Sequence, residues 1–212
     1  MRKKIIPAII AKSQKELNER INKVKNTSRV FHLDVMDGKF VKNKSLMFDF
    51  KIPRLKKYQA HLMVKNPRAW INKNWKKVSA IIFHEEVFKK RKDVEELINF
   101  IKKKGRKVGL ALNPGTSVEK IRPYLNKIHI VLVMSVNPGK YGGKFLPKTL
   151  RKINQIKKIN PSLKIEIDGG ISDKTINGVC SAGGDIFISG SYLQKSQDSK
   201  KALRTLLSIV QH

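Results

Sequence analysis

Eight short runs dominated by Val, Ile and Leu recur along the chain, with amphipathic stretches between them. The runs cover residues 4–10, 29–33, 59–64, 80–84, 107–112, 128–134, 164–167 and 186–189, and each is expected to be a strand. Helical patterns occupy 13–25, 67–76, 93–104, 117–125, 147–158, 173–182 and 199–210. Ser13 and Thr116 each precede a glutamate by three residues, the spacing of a capping box, and Pro67 and Pro147 suit a first helical turn. With a helix expected after each strand, the second included, the strand–helix unit repeats eight times and favours a parallel sheet that closes on itself. An open doubly wound sheet is the alternative, but 7–12 carries no glycine and therefore no phosphate-binding fingerprint after the first strand. The expected fold is α/β, a single (β/α)8 TIM barrel over 1–212.

Composition narrows the functional classes. No apolar run approaches the roughly 20 residues of a spanning helix. The basic, apolar start is broken by Pro7 and ends at Lys12 with no small-residue cleavage site, so it is expected to be the first buried strand. A lone cysteine, Cys180, excludes an intramolecular disulfide and points to the cytoplasm. The formal charge of +30 raises nucleic-acid binding. Against it, lysines outnumber arginines 36 to 10, are spread over nearly every helix, and have few aromatics among them. Solvated lysine-coated helices are the favoured account, with anionic substrates drawn to the protein as a by-product.

Polar residues gather where the apolar runs end. His32 and Asp34 are two apart on one strand and share a face, and His61 and Asp168 sit at the exits of two other strands. Two imidazoles and two carboxylates suit Zn²⁺, Fe²⁺, Mn²⁺ or Co²⁺, although polar strand ends are common in any barrel. Glycine-rich stretches follow the last three strands: 137–143, Asp168-Gly-Gly and Ser189-Gly-Ser. Backbone N–H groups there can approach a phosphate, and late barrel loops are the usual place for one. Met36, Met63 and Met134 lie near these residues and suit either a water-excluding lining or plain core packing. His84-Glu85-Glu86 is expected to be an exposed polar strand end rather than an acid behind the site, and His129 a satisfied core histidine.

Seven segments carry a family resemblance: HLDVMDGKFVKN (32–43), HLMVKNP (61–67), FHEE (83–86), GLALNPGTSVE (109–119), LVMSVNPG (132–139), IEIDGG (165–170) and ISGS (188–191). In these segments and their order, over nearly its whole length, the chain resembles ribulose-phosphate 3-epimerases. The resemblance implies a (β/α)8 barrel, one divalent metal ion per subunit, and a dimer or hexamer. It implies His32, Asp34, His61 and Asp168 as metal ligands, with Asp34 and Asp168 also the acid–base pair that inverts C3 through a metal-stabilised enediolate. His61, Gly142, Gly143, Gly169, Gly170, Gly190 and Ser191 fall at substrate- or phosphate-binding positions. Ala8, Met36, Met63 and Met134 line the reacting carbon.

Departures from the family pattern bear on substrate. Pro7-Ala8 stands where Pro-Ser is usual, Lys42 replaces a proline, Leu46–Phe48 replace a Phe-Gly, and Lys140-Tyr141 replace a Phe-Gly pair in the phosphate loop. The resemblance therefore implies D-ribulose 5-phosphate, with another ketose phosphate such as allulose 6-phosphate as the alternative. A basic nucleic-acid-binding barrel without catalysis is the reading from a different class.

Overall fold

A computed structural model describes residues 3–139 and 142–211. Its strands are β1 (Lys4–Ile9), β2 (Val30–Asp37), β3 (Lys44–Ser45), β4 (Lys57–Met63), β5 (Ala80–His84), β6 (Lys107–Leu112), β7 (Ile130–Met134), β8 (Lys164–Asp168) and β9 (Ile186–Ser189). The helices are α1 (Gln14–Val24), α2 (Pro67–Asn74), α3 (Arg91–Lys103), α4 (Arg151–Ile159), α5 (Ile176–Ser181), α6 (Ser191–Lys195) and α7 (Ser199–Gln211). The strands run in the order β1-β9-β8-β7-β6-β5-β4-β2, and β1 pairs again with β2, so eight parallel strands close a barrel. The two-residue β3 lies antiparallel to the end of β2.

Alternation along each strand divides the core in two. Phe31, Leu33 and Val35 of β2, with their counterparts on other strands, pack outward against the helices, joined by Leu17, Ile21 and Val24 of α1. Inside the barrel, Ala80, Ile82, Ala111, Ile130, Leu132 and Met134 form an apolar wall from β5 to β7. Ile6, Ala8 and Ile188 form a smaller one from β1 and β9. Gly109 is part of the first wall: a Cβ there would sit 2.8 Å from Ile82 Cγ1 and 3.2 Å from Ile130 Cβ.

Local chemistry explains the helix starts. Ser13 Oγ accepts from the Glu16 N–H at 3.2 Å, while Glu16 Oε2 accepts from the Lys12 N–H at 2.8 Å. Asn66 caps α2 through the Ala69 N–H, with Pro67 in the first turn as expected.

Three expectations need correction. The stretch 117–125 is two 3₁₀ turns, Val118–Lys120 and Arg122–Tyr124, because Pro123 lacks the N–H an α-helix would need there. Its cap is Ser117, which accepts from the Glu119 N–H, and the Thr116 hydroxyl donates elsewhere, to Glu86. No helix follows β2: residues 46–56 form a loop whose Leu46 and Phe50 are buried. Leu46 is held at φ +53°, a conformation rare for a branched side chain, by its N–H bond to Ala11 O. Pro147 opens a 3₁₀ turn that leads into α4.

The packing around Gly109 gives a stability prediction. Gly109→Val overfills the interior wall and is expected to cost about 1–3 kcal/mol, read as a lowered urea midpoint. An unchanged midpoint would show that the wall has slack.

Candidate active site

Strand register brings the polar residues to common heights. Asp34 pairs beside His61, His32 beside Gln59, and Met36 beside Met63 on β2 and β4. Asp168, at the end of β8, pairs beside Met134 on β7. In the barrel order β8 stands opposite β4, so Asp168 approaches Asp34 and His61 from across the interior. His61 Nδ1 lies 3.2 Å from Asp34 Oδ1 and 3.3 Å from Asp168 Oδ2. His32 Nε2 lies 3.3 and 3.8 Å from the same two oxygens.

This geometry fits a metal ion. Four ligands about 2.1 Å from a tetrahedral ion stand roughly 3.4 Å apart. The four contacts above scatter around that spacing, and one ligand atom from each of His32, Asp34, His61 and Asp168 falls within 4.8 Å of every other. His32 Nε2 is fully buried with no hydrogen-bond partner, an uncommon arrangement that a metal bond would resolve. Burial alone would raise the Asp34 carboxyl, but the imidazoles of His32 and His61 beside it outweigh burial and hold the group at about 2. Burial alone would lower His61, but Asp168 and Asp34 bring it up to about 9.

Above this cluster lies a cleft. Its lining includes Asp34 and Asp168, Ala8, all three methionines, and Gly142, Gly143, Gly169, Gly170, Gly190 and Ser191. Every site residue expected from the sequence is therefore at this cleft except His32 and His61, which are fully buried beside the two carboxylates. Gly169 has φ +113°, and a Cβ there would fall 2.4 Å from Val136 Cγ2, so the loop after β8 admits only glycine. Asn43 Nδ2 donates to Gly139 O, tying the loop after β2 to the loop after β7. Lys42 is exposed, and Lys140 and Tyr141 lie outside the described residues.

The sequence reading missed two groups behind the ligands. Gln59 Nε2 lies 2.8 Å from His32 Nδ1 and 2.7 Å from Glu166 Oε2, a link across the barrel. Burial pushes the Glu166 carboxyl up. Their signal was position alone: each is two residues before a ligand on its strand, and so also points inward. The second group corrects an expectation. His84-Glu85-Glu86 is no exposed strand end: His84 is fully buried and its Nε2 lies 2.9 Å from His61 Nε2, while its Nδ1 is 3.1 Å from Glu86 Oε2. Burial lowers His84. Glu86, despite its burial, is drawn down to about 2 by His84, Thr116 and the Asn113 N–H. His129, in contrast, is exposed at the barrel's edge, with Nδ1 accepting from the Val108 N–H.

The model of the ribulose-phosphate 3 epimerase family matches residues 4–194. The chain belongs to this family. It is 33% identical to ribulose-phosphate 3-epimerase of Schizosaccharomyces pombe over 98% of its own length and 93% of the relative's. The cytoplasmic isoform of the same enzyme from Oryza sativa is 37% identical, over 85% and 82%. The Aquifex aeolicus enzyme is 34% identical, over 98% and 97%. Like them, the protein is an enzyme of the isomerase class. Among solved structures, 3-keto-L-gulonate-6-phosphate decarboxylase of Vibrio cholerae superposes with a TM-score of 0.72 at 9% identity, covering 100% and 98%. 3-Hexulose-6-phosphate synthase of Salmonella typhimurium gives 0.69 at 13%, covering 98% of each. At these identities they share the fold of the family. No helix among the described residues is long and apolar enough to cross a membrane.

The shifts at Asp34 and His61 arise in one buried cluster, with His32 and His61 lowering Asp34, and with Asp168 and Asp34 raising His61, and they set a pH window for the metal-free protein. A lowered carboxyl stabilises above about 4 and loses that contribution as pH falls towards 2. A raised histidine stabilises below about 6.5 and loses it as pH rises through about 9. Urea midpoints in the presence of a chelator are expected to be highest between these limits. The alkaline limb should fall by roughly 2 kcal/mol, and His61→Asn should flatten it. An alkaline limb identical in wild type and variant would count against the pairing.

Proposed function

We propose that the protein inverts C3 of D-ribulose 5-phosphate to give D-xylulose 5-phosphate, using Asp34 and Asp168 as a two-sided acid–base pair. The observation that carries this reading is the placement of the two carboxylates. They come from strands on different sides of the barrel, both line the cleft, and both lie within 3.3 Å of the same His61 nitrogen. A substrate carbon held between two such groups can lose its proton to one of them and, once planar, regain one from the other on the opposite face.

The chemistry follows from the proton to be moved. The C3 hydrogen is weakly acidic until charge on the adjacent C2 oxygen is stabilised. A divalent ion (Zn²⁺, Fe²⁺, Mn²⁺ or Co²⁺) held by His32, Asp34, His61 and Asp168 would supply that stabilisation as a Lewis acid. One aspartate takes the C3 proton and leaves an enediolate. The other, entering protonated, delivers a proton to the opposite face of the same carbon. Met36, Met63 and Met134 exclude water from the carbon while it is planar. The glycine loops at 142–143, 169–170 and 190–191 fix the phosphate through backbone N–H groups, so that C3 is held between the carboxyls. The cytoplasm and a dimer or hexamer complete the reading, supported by the lone Cys180 and by the resemblance.

Ala8 favours one second reading. It lines the cleft without the hydroxyl usual at that position, which suits epimerisation of another ketose phosphate such as allulose 6-phosphate. Comparing kcat/KM for the two substrates separates them.

The test is proton NMR of metal-supplemented protein with D-ribulose 5-phosphate in D₂O. Deuterium is expected at C3 as xylulose 5-phosphate appears. Asp34→Asn and Asp168→Asn are each expected to lower kcat by about 10²–10⁴ or more, and stripping the metal with a chelator should stop exchange until Co²⁺ or Zn²⁺ is returned. Near wild-type turnover in either folded aspartate variant would sink the two-base assignment.

A further inference from the structure

Behind His61 the hydrogen bonds have a forced direction. Glu86 Oε1 accepts from the Asn113 backbone N–H at 2.8 Å and faces the Thr116 hydroxyl at 2.5 Å. A backbone N–H can only donate, so this oxygen is an acceptor. Oε2 of the same carboxylate is left to face His84 Nδ1 at 3.1 Å, and that nitrogen must therefore carry a hydrogen. His84 is fully buried, where a neutral ring with one hydrogen is favoured, so its Nε2 is bare. That bare nitrogen lies 2.9 Å from His61 Nε2. Two ring nitrogens this close share one hydrogen, and here it belongs to His61. When the His61 ring is neutral, as a metal ligand must be, its lone pair is thereby placed on Nδ1, the atom that faces Asp34 and Asp168.

We infer that Glu86 and His84 are positioning residues that hold His61 in the tautomer whose Nδ1 is free to bind a metal ion. The direction is set at the Asn113 and Thr116 donors beyond β6 and passes inward through two ring hydrogens. This inference rests on the metal-centre reading above and concerns metal affinity rather than proton transfer to substrate. Neither Glu86 nor His84 lines the cleft.

Glu86→Gln tests the direction because it keeps the shape and reverses the polarity. The amide oxygen can still accept from Asn113 and Thr116, but its NH₂ then faces His84 Nδ1 and drives the His84 hydrogen to Nε2, against His61. Co²⁺ affinity, measured by competition with a chromophoric chelator, is expected to fall about 10–100-fold. Thr116→Val leaves the carboxylate in place and should stay within about threefold of wild type. Should Glu86→Gln fail to fold, His84→Met fills the same space without a ring acceptor and is expected to lose affinity as well. Long-range ¹H–¹⁵N spectra of the Zn²⁺-loaded wild-type protein should place hydrogens on His61 Nε2 and His84 Nδ1.

Wild-type Co²⁺ affinity in a folded Glu86→Gln or His84→Met protein, or ring hydrogens on the opposite nitrogens, would overturn the inference and leave the metal reading standing. Failure of the wild-type protein to bind Co²⁺ at all would overturn both.

Discussion

The site depends on the register of the parallel strands around the closed barrel. One-residue slippage of β4 against β2 would turn Gln59, His61 and Met63 outward and replace them inside with Tyr58, Ala60 and Leu62. Register in turn is held by the outer core, where Phe31, Leu33 and Val35 must meet the helices. The same alternation that buries these apolar side chains outside puts His32, Asp34 and Met36 inside. Packing and chemistry are thus two faces of a single constraint, and no separate device is needed to aim the ligands.

Inside, two histidines are supported in different ways. His61 rests on a ring whose far side meets a carboxylate, and a carboxylate only accepts. His32 rests on the Gln59 amide, whose nitrogen faces it at 2.8 Å. An amide offers a donor on one side and an acceptor on the other, and turning it over presents oxygen instead. Binding a metal through His32 Nε2 requires a hydrogen on Nδ1 and hence that second orientation. Gln59 can accommodate either tautomer of its histidine, whereas the Glu86 side of the barrel accommodates one. Buried Glu166, bonded to the same amide nitrogen, must adjust with it.

What the sequence made legible follows from how local each signal was. The site residues were readable because His32, Asp34 and His61 interrupt apolar runs and Asp168 closes one, and a parallel barrel turns such residues to a common interior. Helix starts at Ser13 and Pro67 were readable from chemistry within three residues. The loop at 46–56 was not, since its place is fixed by burial of Leu46 and Phe50 in a core contributed by distant strands. Pro123 stands inside the apolar spacing that suggested an α-helix over 117–125, and its missing N–H is what divides that stretch into two 3₁₀ turns. His84-Glu85-Glu86 looked like a solvated strand end because nothing in that tripeptide reveals that His61, 23 residues earlier, lies against it.

The distribution of charge adds a last step. The chain has 16 acidic residues against 46 basic ones, and six of the acids, Asp34, Asp37, Glu85, Glu86, Glu166 and Asp168, lie within the barrel strands or just past their ends. The excess of lysine is left to the helices, loops and strand starts outside. A negative cluster enclosed by a positive exterior serves a divalent cation and a phosphorylated sugar together: the inner carboxylates hold the cation at short range, and the outer lysines act on the phosphate at long range. The two fields differ in how salt affects them. Buried contacts at 3.2–3.8 Å lie well inside the screening length of about 8 Å at physiological ionic strength, whereas the exterior field acts through water and is screened. Ionic strength should therefore govern how quickly the proposed substrate arrives and leave the chemistry at C3 to the carboxylates.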